Sequence, residues 1–222
     1  MLVPRNSKRN KLKFVLHLYK KKYIWAVKFA LEYLLIIFLA PILIPFFLLI
    51  CVLIKLDSSG PILYSQNRVG KNGKIFNFYK FRTMIQDAEK KLSEVSHLNE
   101  SVDGVIFKNR KDPRVTRVGK ILRRLSIDES AQIINIMKGD MKLVGPRPPL
   151  PTELESYTIE DLKRLHVIPG LTCIWQTAGR SEIPFKSQVL MDKEYISKRS
   201  WFFDVILILR TIPAVIFGKG AY

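Results

Sequence analysis

Cysteine and histidine are scarce in this chain. Among 222 residues there are two cysteines, Cys51 and Cys173, and three histidines, His17, His97 and His166. The spacing of these residues does not match a zinc site, and the two cysteines do not form the framework of a disulfide-rich domain. The composition therefore excludes small disulfide-stabilised folds and zinc fingers, and it indicates a reducing, cytosolic environment.

Acidic residues are also few. The chain has 19 acidic against 37 basic residues, which gives a formal net charge of +18. This excess predicts an anionic partner, which can be nucleic acid, anionic lipid head groups or a phosphorylated substrate. Residues 1–28 carry about half of the excess, and each lysine or arginine near an anionic leaflet contributes about 1 kcal/mol to membrane binding. A membrane alone therefore explains that share of the charge.

Only one long apolar run is present. It extends from Tyr33 to Ile54 and contains no charged residue over 22 positions. At a rise of about 1.5 Å per residue, a helix of this length measures about 33 Å, which is enough to cross the hydrocarbon core of a membrane once.

Charge and proline content argue against a simple crossing. Both flanks of the run are basic, whereas the positive-inside rule expects the excess on one side. Pro41 and Pro45 lie near the middle, where each removes a backbone donor and crowds the carbonyl four residues back. We therefore predict a re-entrant hairpin, in which a helix, a break and a second helix return both ends to one membrane face. A kinked single span and a buried helix of a soluble core are the alternatives.

The remaining chain combines strand patterns with short helix patterns. Gly70, Asn72 and Gly73 separate two strand-like runs, which predicts a β-hairpin. Residues 143–151 are too rich in proline for a helix. Helices are predicted at 85–100, 115–125, 126–139, 152–166 and 201–217, and a loop or short strand at 169–180.

Asp128 and Glu129 are adjacent carboxylates at a predicted helix start. One interpretation is structural, because Ser126 and Glu129 can form a capping box and acidic residues suit the first turn of a helix. The other is catalytic, because Arg123 and Arg124 are close in sequence and a carboxylate beside cations stays ionised and can attack phosphorus. The neighbouring carboxylate can then hold a magnesium ion that neutralises a diphosphate.

Three further segments offer polar or cationic side chains to a phosphorylated substrate. Lys80 and Arg82 share one face of a predicted strand, with solvated edge charges as the alternative. Arg147 lies in GPRPP, where rigid prolines can fix it for bidentate phosphate binding, unless this is an ordinary turn. Gln176 and Arg180 lie in the loop PGLTCIWQTAGR, whose tryptophan is more simply explained as a core residue.

The order of these motifs is more specific than any one of them. YKFRTM, LRRLSIDES, KGDMKLVGPRP and PGLTCIWQTAGR follow one another after a proline-broken apolar run and QNRVG. In this order they strongly resemble the bacterial sugar transferase family, the monotopic phosphoglycosyl transferases, over about residues 30–215. The resemblance implies an enzyme that transfers a sugar 1-phosphate from a UDP-sugar to polyprenyl phosphate, usually undecaprenyl phosphate, and releases UMP.

The resemblance also implies roles for single residues. Asp128 matches the aspartate that attacks the sugar-bearing phosphorus and forms a covalent phosphosugar intermediate. Glu129 matches the glutamate that helps to bind Mg²⁺. Phosphate contacts of the family match Lys80, Arg123 and Arg147.

The implied fold is α+β and mainly helical, with amphipathic interfacial helices and a small β-hairpin. Residues 1–28 would form a basic N-terminal extension, residues 29–56 the re-entrant membrane hairpin, and residues 57–222 the cytosolic catalytic domain. The implied location is the cytoplasmic face of the bacterial inner membrane, and the expected partners are the UDP-sugar, polyprenyl phosphate and anionic membrane lipids, without nucleic acid. The identity of the sugar and the formation of a homodimer stay open.

Two positions depart from the family pattern. Ala40 precedes Pro41 where members often carry serine, and Cys173 stands where members carry glycine. Two rival hypotheses also remain. A non-catalytic, membrane-tethered basic protein that binds anionic lipid or nucleic acid would be indifferent to Asp128→Asn. A transferase without a covalent step would use Asp128 as a base or metal ligand.

Overall fold

The structure, a computed structural model, describes residues 6–100 and 109–217. The chain divides into two compact units, Met1–Pro41 and Ile42–Tyr222. The division falls inside the apolar run, between Pro41 and Ile42, and not between residues 56 and 57, where the sequence predicts the catalytic domain to begin. The second half of the apolar run therefore belongs to the same compact unit as the predicted catalytic domain.

A single long helix, α1 (Asn6–Asp57), contains the whole apolar run. The helix is assigned through both Pro41 and Pro45, so the predicted break is not confirmed, and the re-entrant path stays a prediction. Each proline removes only one backbone hydrogen bond, and the bonds on either side can continue the helix through a kink. Within the part of the chain that the structure describes, Ala30–Asp57 is the one helix whose length and composition suit a membrane crossing.

The last turns of α1 pack into the second unit along a stripe with helical spacing. Ile50 and Ile54 are almost fully buried and share a core with Phe81, Leu122 and Ala131. Residues on the opposite side of these turns are exposed and apolar. This pattern is typical of a helix with one face on a protein core and the other toward lipid.

An antiparallel hairpin follows α1. Strand β1 (Leu63–Val69) pairs with β2 (Ile75–Phe81), in a register that places Leu63 opposite Phe81. The connecting turn places Asn72 at φ 56°, a left-handed conformation that asparagine tolerates better than most residues. The predicted hairpin is confirmed.

A second, smaller sheet brings two distant motifs together. Strand β3 (Lys142–Val144) pairs in parallel with β4 (Gly170–Thr172). A Cβ atom at Gly170 would lie 2.0 Å from the backbone nitrogen of Gly145. The backbones of these two segments can therefore approach this closely only because residue 170 has no side chain. The GPRPP loop after β3 therefore lies beside the segment after β4.

The short helices are only partly as predicted. The amphipathic helix near 115–125 is confirmed. The predicted helix at 85–100 contains only a four-residue helix followed by one 3-10 turn, and 152–166 forms two 3-10 helices separated by residues 157–160. Polar composition without a continuous apolar face does not sustain a longer helix there. The helices after α1 are α2 (Leu92–Val95), α3 (Arg117–Arg124), α4 (Ile133–Met137), α5 (Ile174–Ala178), α6 (Phe185–Lys198) and α7 (Trp201–Phe217).

The C-terminal helix α7 packs on the domain. Leu207 is fully buried and shares a core with Val144 and Tyr195. The Tyr195 hydroxyl donates a hydrogen bond to Asp204 Oδ1 at 2.8 Å, which satisfies a carboxylate inside this apolar element. The other side of α7 exposes large apolar residues such as Trp201.

Candidate active site

The two adjacent carboxylates lie on a short 3-10 helix, Ile127–Gln132, named here the dyad helix. The predicted capping box is wrong, because Ser126 adopts a left-handed conformation with φ 53° and its side chain caps nothing. The side chain that caps a helix nearby is Thr116, which accepts a hydrogen bond from the Gly119 N–H at the start of α3. Glu129 is therefore not part of a capping box with Ser126, and its side chain is available for another role.

Asn135 fixes the dyad helix and α4 against the free edge of β2. Its side-chain oxygen accepts a hydrogen bond from the Tyr79 N–H at 3.1 Å, and its amide donates to the Asn77 carbonyl at 2.6 Å. Asn135 is fully buried, so neither bond competes with water. The dyad helix therefore contacts both faces of the hairpin. Glu129 binds Lys80 on one face, and Ala131 packs with Phe81 on the other.

Glu129 is the centre of the polar network. Its Oε1 accepts a hydrogen bond from Lys80 Nζ at 2.7 Å and another from Arg147 Nη1 at 3.0 Å. Its Oε2 lies 3.4 Å from the Gln176 amide nitrogen. Burial alone would raise the pKa of Glu129, but Lys80 and Arg147 outweigh burial and hold the pKa well below the ordinary value. Glu129 is therefore ionised at any physiological pH.

Asp128 is more enclosed and less firmly paired. It is only 6% exposed, and its Oδ2 lies 3.5 Å from Lys80 Nζ. Burial raises the pKa of Asp128, while the charges of Lys80 and Arg123 act against that shift. A carboxylate with a raised pKa and a loosely bound oxygen is a better nucleophile than one held in a tight ion pair.

The GPRPP loop presents Arg147 to the carboxylates from a fixed position. Arg164 donates a hydrogen bond to the Arg147 carbonyl at 3.0 Å, and Arg164 is itself held by the buried Asp192. The Arg147 guanidinium lies 5.9 Å from the ring centres of both Phe78 and Trp175. Burial alone would lower the pKa of Arg147, but the charge of Glu129 raises it. The backbone and the aromatic rings together hold this cation in place before any substrate arrives.

Gln176 joins the network through the cysteine that departs from the family pattern. The Cys173 thiol lies 3.1 Å from Gln176 Oε1, so the amide nitrogen points toward Glu129. Cys173 is fully buried, and burial raises the pKa of its thiol well above the ordinary value. The thiol therefore acts as a neutral donor that fixes the amide orientation.

Arg180 and Arg123 complete the cationic side of the site. Arg180 adopts φ 53°, which is unfavourable for arginine, and its buried Nη1 has no hydrogen-bond partner within the described residues. Burial lowers the pKa of Arg180, and the charges of Asp128 and Glu129 oppose this shift. Arg123 donates from Nε to Thr83 Oγ1 at 2.9 Å and interacts electrostatically with Asp128. A strained backbone and a guanidinium nitrogen without a hydrogen-bond partner are typical of a residue that binds an anionic ligand.

Arg82 is not brought into this site. Its guanidinium binds the end of α1 through the carbonyls of Ile54 at 3.4 Å and Ser58 at 2.6 Å, and it also contacts the Pro61 carbonyl. The last carbonyls of a helix have no partner inside the helix, so a buried guanidinium can satisfy several of them. This arrangement favours a structural role for Arg82.

Several supporting residues were missed by reasoning from sequence. Phe78 lies two residues before Lys80 on the same strand face, and this spacing was the signal that could have identified it. Arg164 acts through Arg147 from a segment outside every motif, and no local pattern marks it or Asn135. Cys173 is marked in the sequence only as a departure from the family pattern, which does not predict its contact with Gln176.

The donor set is compatible with magnesium only if the substrate supplies further ligands. Among the residues that the structure describes, no three His, Cys, Asp or Glu side chains gather as in a protein-only metal cage. Glu129 Oε2 is held only by a long contact of 3.4 Å, so one hard oxygen ligand is accessible. Mg²⁺ commonly binds through one or two carboxylates plus substrate phosphates, and the site fits that mode.

Comparison with known proteins gives a consistent result. The family model described as "Bacterial sugar transferase" matches residues 23–218. Galactosyl transferase CpsE of Streptococcus agalactiae is 46% identical over 163 residues, which is 73% of this chain and 36% of that protein. Exopolysaccharide production protein ExoY of Rhizobium meliloti is 40% identical over 181 residues, 80% of each chain. Undecaprenyl-phosphate galactose phosphotransferase of Salmonella typhimurium is 37% identical over 167 residues, 73% of this chain and 35% of that protein.

The chain spans about a third of the length of CpsE and of the Salmonella typhimurium relative, but four fifths of ExoY. The match to the family model contains α1 from residue 23 onward, the hairpin, the dyad helix and the GPRPP loop. Since it covers most of the sequence and every element that forms the carboxylate network, the chain belongs to the bacterial sugar transferase family.

Proposed function

We propose that this protein transfers a sugar 1-phosphate from a UDP-sugar to polyprenyl phosphate through a covalent intermediate on Asp128. The observation that carries the proposal is the pairing of the buried Asp128 and the partly buried Glu129 with the cations Lys80, Arg147, Arg123 and Arg180 around them. The names of several relatives, which include undecaprenyl-phosphate galactose and glucose phosphotransferases, support the same reaction class.

In the first step, an Asp128 carboxylate oxygen attacks the sugar-bearing phosphorus of the donor. A new bond forms between this oxygen and phosphorus, the bond from phosphorus to the bridging oxygen breaks, and UMP leaves with that oxygen. Asp128 must be ionised to attack, and the charges of Lys80 and Arg123 favour its ionised form against the effect of burial.

In the second step, a phosphate oxygen of polyprenyl phosphate attacks the same phosphorus. The bond to Asp128 breaks, the carboxylate is regenerated, and polyprenyl diphosphate sugar is released. A covalent intermediate lets two anionic substrates use one pocket in turn, because UMP has departed before the lipid phosphate arrives.

The cations stabilise the charge that develops on the transferring phosphoryl group. Lys80 and Arg147 share Glu129 Oε1, and both can also donate to phosphate oxygens when the donor binds. Their positions are preset by packing, so little reorganisation is needed at the moment of reaction. Arg180 Nη1 offers a further donor, since it has no other partner within the described residues.

Magnesium remains part of the proposal. Glu129 would hold the ion together with oxygens of the donor diphosphate, and the ion would neutralise part of the diphosphate charge. Gln176 would keep the Glu129 carboxylate oriented through its amide nitrogen.

The proposed location is the cytoplasmic face of the bacterial inner membrane. The exposed apolar surface of α1 and the basic residues before it suit a re-entrant hairpin beside anionic lipids. Polyprenyl phosphate keeps its tail in the membrane and its phosphate at the surface, so a transferase for this acceptor must act at that boundary.

The test is UMP release from a panel of UDP-sugars with undecaprenyl phosphate and magnesium. We expect release with at least one donor and its loss in Asp128→Asn, whereas the matched control Asp87→Asn should keep wild-type activity. Asp87 is exposed and has φ 60°, a conformation that asparagine accepts. Absence of release with every donor would instead support the non-catalytic binding protein.

A further inference from the structure

A cavity lies beside the dyad helix and has no part in the carboxylate network. Its volume is about 300 Å³. Phe47 and Cys51 of α1 form one wall, Leu63 and Phe81 at the paired ends of the hairpin strands form another, and Ala131 and its neighbours on the dyad helix and α4 close the third. This volume is at the lower end of the range for small-molecule sites, which extends from about 300 to 1,000 Å³.

The walls of this cavity offer nothing to a polar ligand. Among the described residues that line it, only Ser130 and Cys51 carry a polar side-chain atom. The Ser130 hydroxyl is already committed, because it donates a hydrogen bond to the Ile127 carbonyl at 2.6 Å. Since burying an unpaired polar group costs several kcal/mol, the cavity is suited to hydrocarbon.

The cavity lies between the lipid-suited surface of α1 and the proposed nucleophile. On α1, Leu48 and Val52 are each more than half exposed on the side that faces away from the domain core. On the dyad helix, Ser130 and Ala131 line the cavity and follow Asp128 by two and three residues, so the cavity adjoins the short helix that carries Asp128. A molecule in the cavity therefore has hydrocarbon surface at one end and the dyad helix at the other.

We propose that this cavity binds the first isoprene units of the polyprenyl phosphate acceptor while its phosphate reaches Asp128. The inference rests on the proposed function and adds the place where the lipid tail is held. The cavity is too small for a whole polyprenyl tail, so the remainder lies along the exposed face of α1. A phosphate monoester head suits the cations that surround the carboxylates.

Cys51 provides a binding test that does not depend on turnover. Cys51 lines the cavity and is partly exposed, whereas Cys173 is fully buried, so a thiol reagent applied to the intact protein should modify Cys51 first. Undecaprenyl phosphate at ten times its dissociation constant should slow this alkylation about tenfold. The same amount of phosphatidylglycerol should not. Equal rates with and without undecaprenyl phosphate would overturn the proposal, and equal protection by phosphatidylglycerol would show that ordinary acyl chains occupy the cavity.

Filling the cavity provides the kinetic test. Cys51→Trp should raise the KM for undecaprenyl phosphate about tenfold or more, a loss comparable to a misfit in a hydrophobic pocket. Its exchange of labelled UMP into the UDP-sugar, which needs no lipid, should stay at the wild-type rate. The matched control Leu209→Trp places the same side chain on the exposed apolar side of α7 and should keep the wild-type KM. An unchanged KM in Cys51→Trp would overturn the proposal.

If Cys51→Trp does not fold, the cavity can instead be filled after folding by chemical modification of Cys51. A bulky thiol reagent on Cys51 of the folded wild-type protein should raise the same KM, and Cys51→Ala should give equal rates with and without the reagent. If the wild-type protein neither exchanges UMP nor forms lipid product, the proposed function fails. The protection of Cys51 by undecaprenyl phosphate still decides the occupant of the cavity in that case.

Discussion

Replacing Glu129 by glutamine should destabilise the substrate-free protein. The carboxylate accepts two charge-assisted hydrogen bonds, from Lys80 and Arg147, and each such bond contributes about 1.5–3 kcal/mol. The amide oxygen of glutamine can still accept a neutral bond, so we expect a loss of about 3 kcal/mol in the free energy of unfolding. For a chain of this size that corresponds to a fall in Tm of about 6–12 °C.

Thermal unfolding in detergent at fixed protein concentration measures this change, with Glu155→Gln as the control because Glu155 is exposed. Inorganic pyrophosphate should raise the Tm of Glu129→Gln more than that of the wild type, since Lys80 and Arg147 are then unshared. A Tm equal to that of the wild type, together with an equal response to pyrophosphate, would refute the role given to Glu129.

The pH dependence follows from the same carboxylate. Glu129 has a lower pKa in the folded protein than in the unfolded chain, so its contribution to stability is fully present above the unfolded value of about 4.5. The contribution is lost as pH falls through the lower, folded value. The stability difference between wild type and Glu129→Gln should therefore stay constant from about pH 7 to 5 and shrink only at lower pH.

The remaining predictions concern the loop, the sheet and the metal. Arg147→Lys keeps the charge but loses the fork geometry, so kcat/KM for the UDP-sugar should fall about tenfold or more while the Tm changes little, and steady-state UMP release measures it. Gly170→Ala should prevent folding or lower the Tm sharply, because the added Cβ would lie 2.0 Å from Gly145 N, whereas Ser65→Ala at an exposed position of β1 should not. Chelation of magnesium should abolish UMP release, and added Mg²⁺ should restore it; full activity in the chelator would remove the ion from the proposal.

The parts of the site that the sequence predicted are those with a local signal. Asp128, Glu129 and Lys80 were expected together and are within ion-pair distance. Arg147 is expected in a loop, and residues 146–150 after β3 do form neither helix nor strand. The hairpin was predicted because its turn residues and strand patterns lie next to each other in the sequence.

The errors arose where distant segments decide the outcome. Arg82 was expected at the phosphate site because it shares a strand face with Lys80, but the end of α1 brings unsatisfied carbonyls to it. Ser126 matched a capping pattern, yet its left-handed backbone ends α3 and redirects the chain into the dyad helix. Neither the position of α1 nor the direction of the dyad helix is encoded near these residues.

The most direct measurement concerns the bond between Asp128 and phosphorus. The protein is incubated with its UDP-sugar and magnesium in the absence of polyprenyl phosphate, and residues 125–138, which trypsin releases as one peptide, are analysed by mass spectrometry. We predict that this peptide gains the mass of a sugar phosphate on Asp128, and that added polyprenyl phosphate removes it. Normal turnover by Asp128→Asn, or by a wild-type protein that never carries this adduct, would contradict the account.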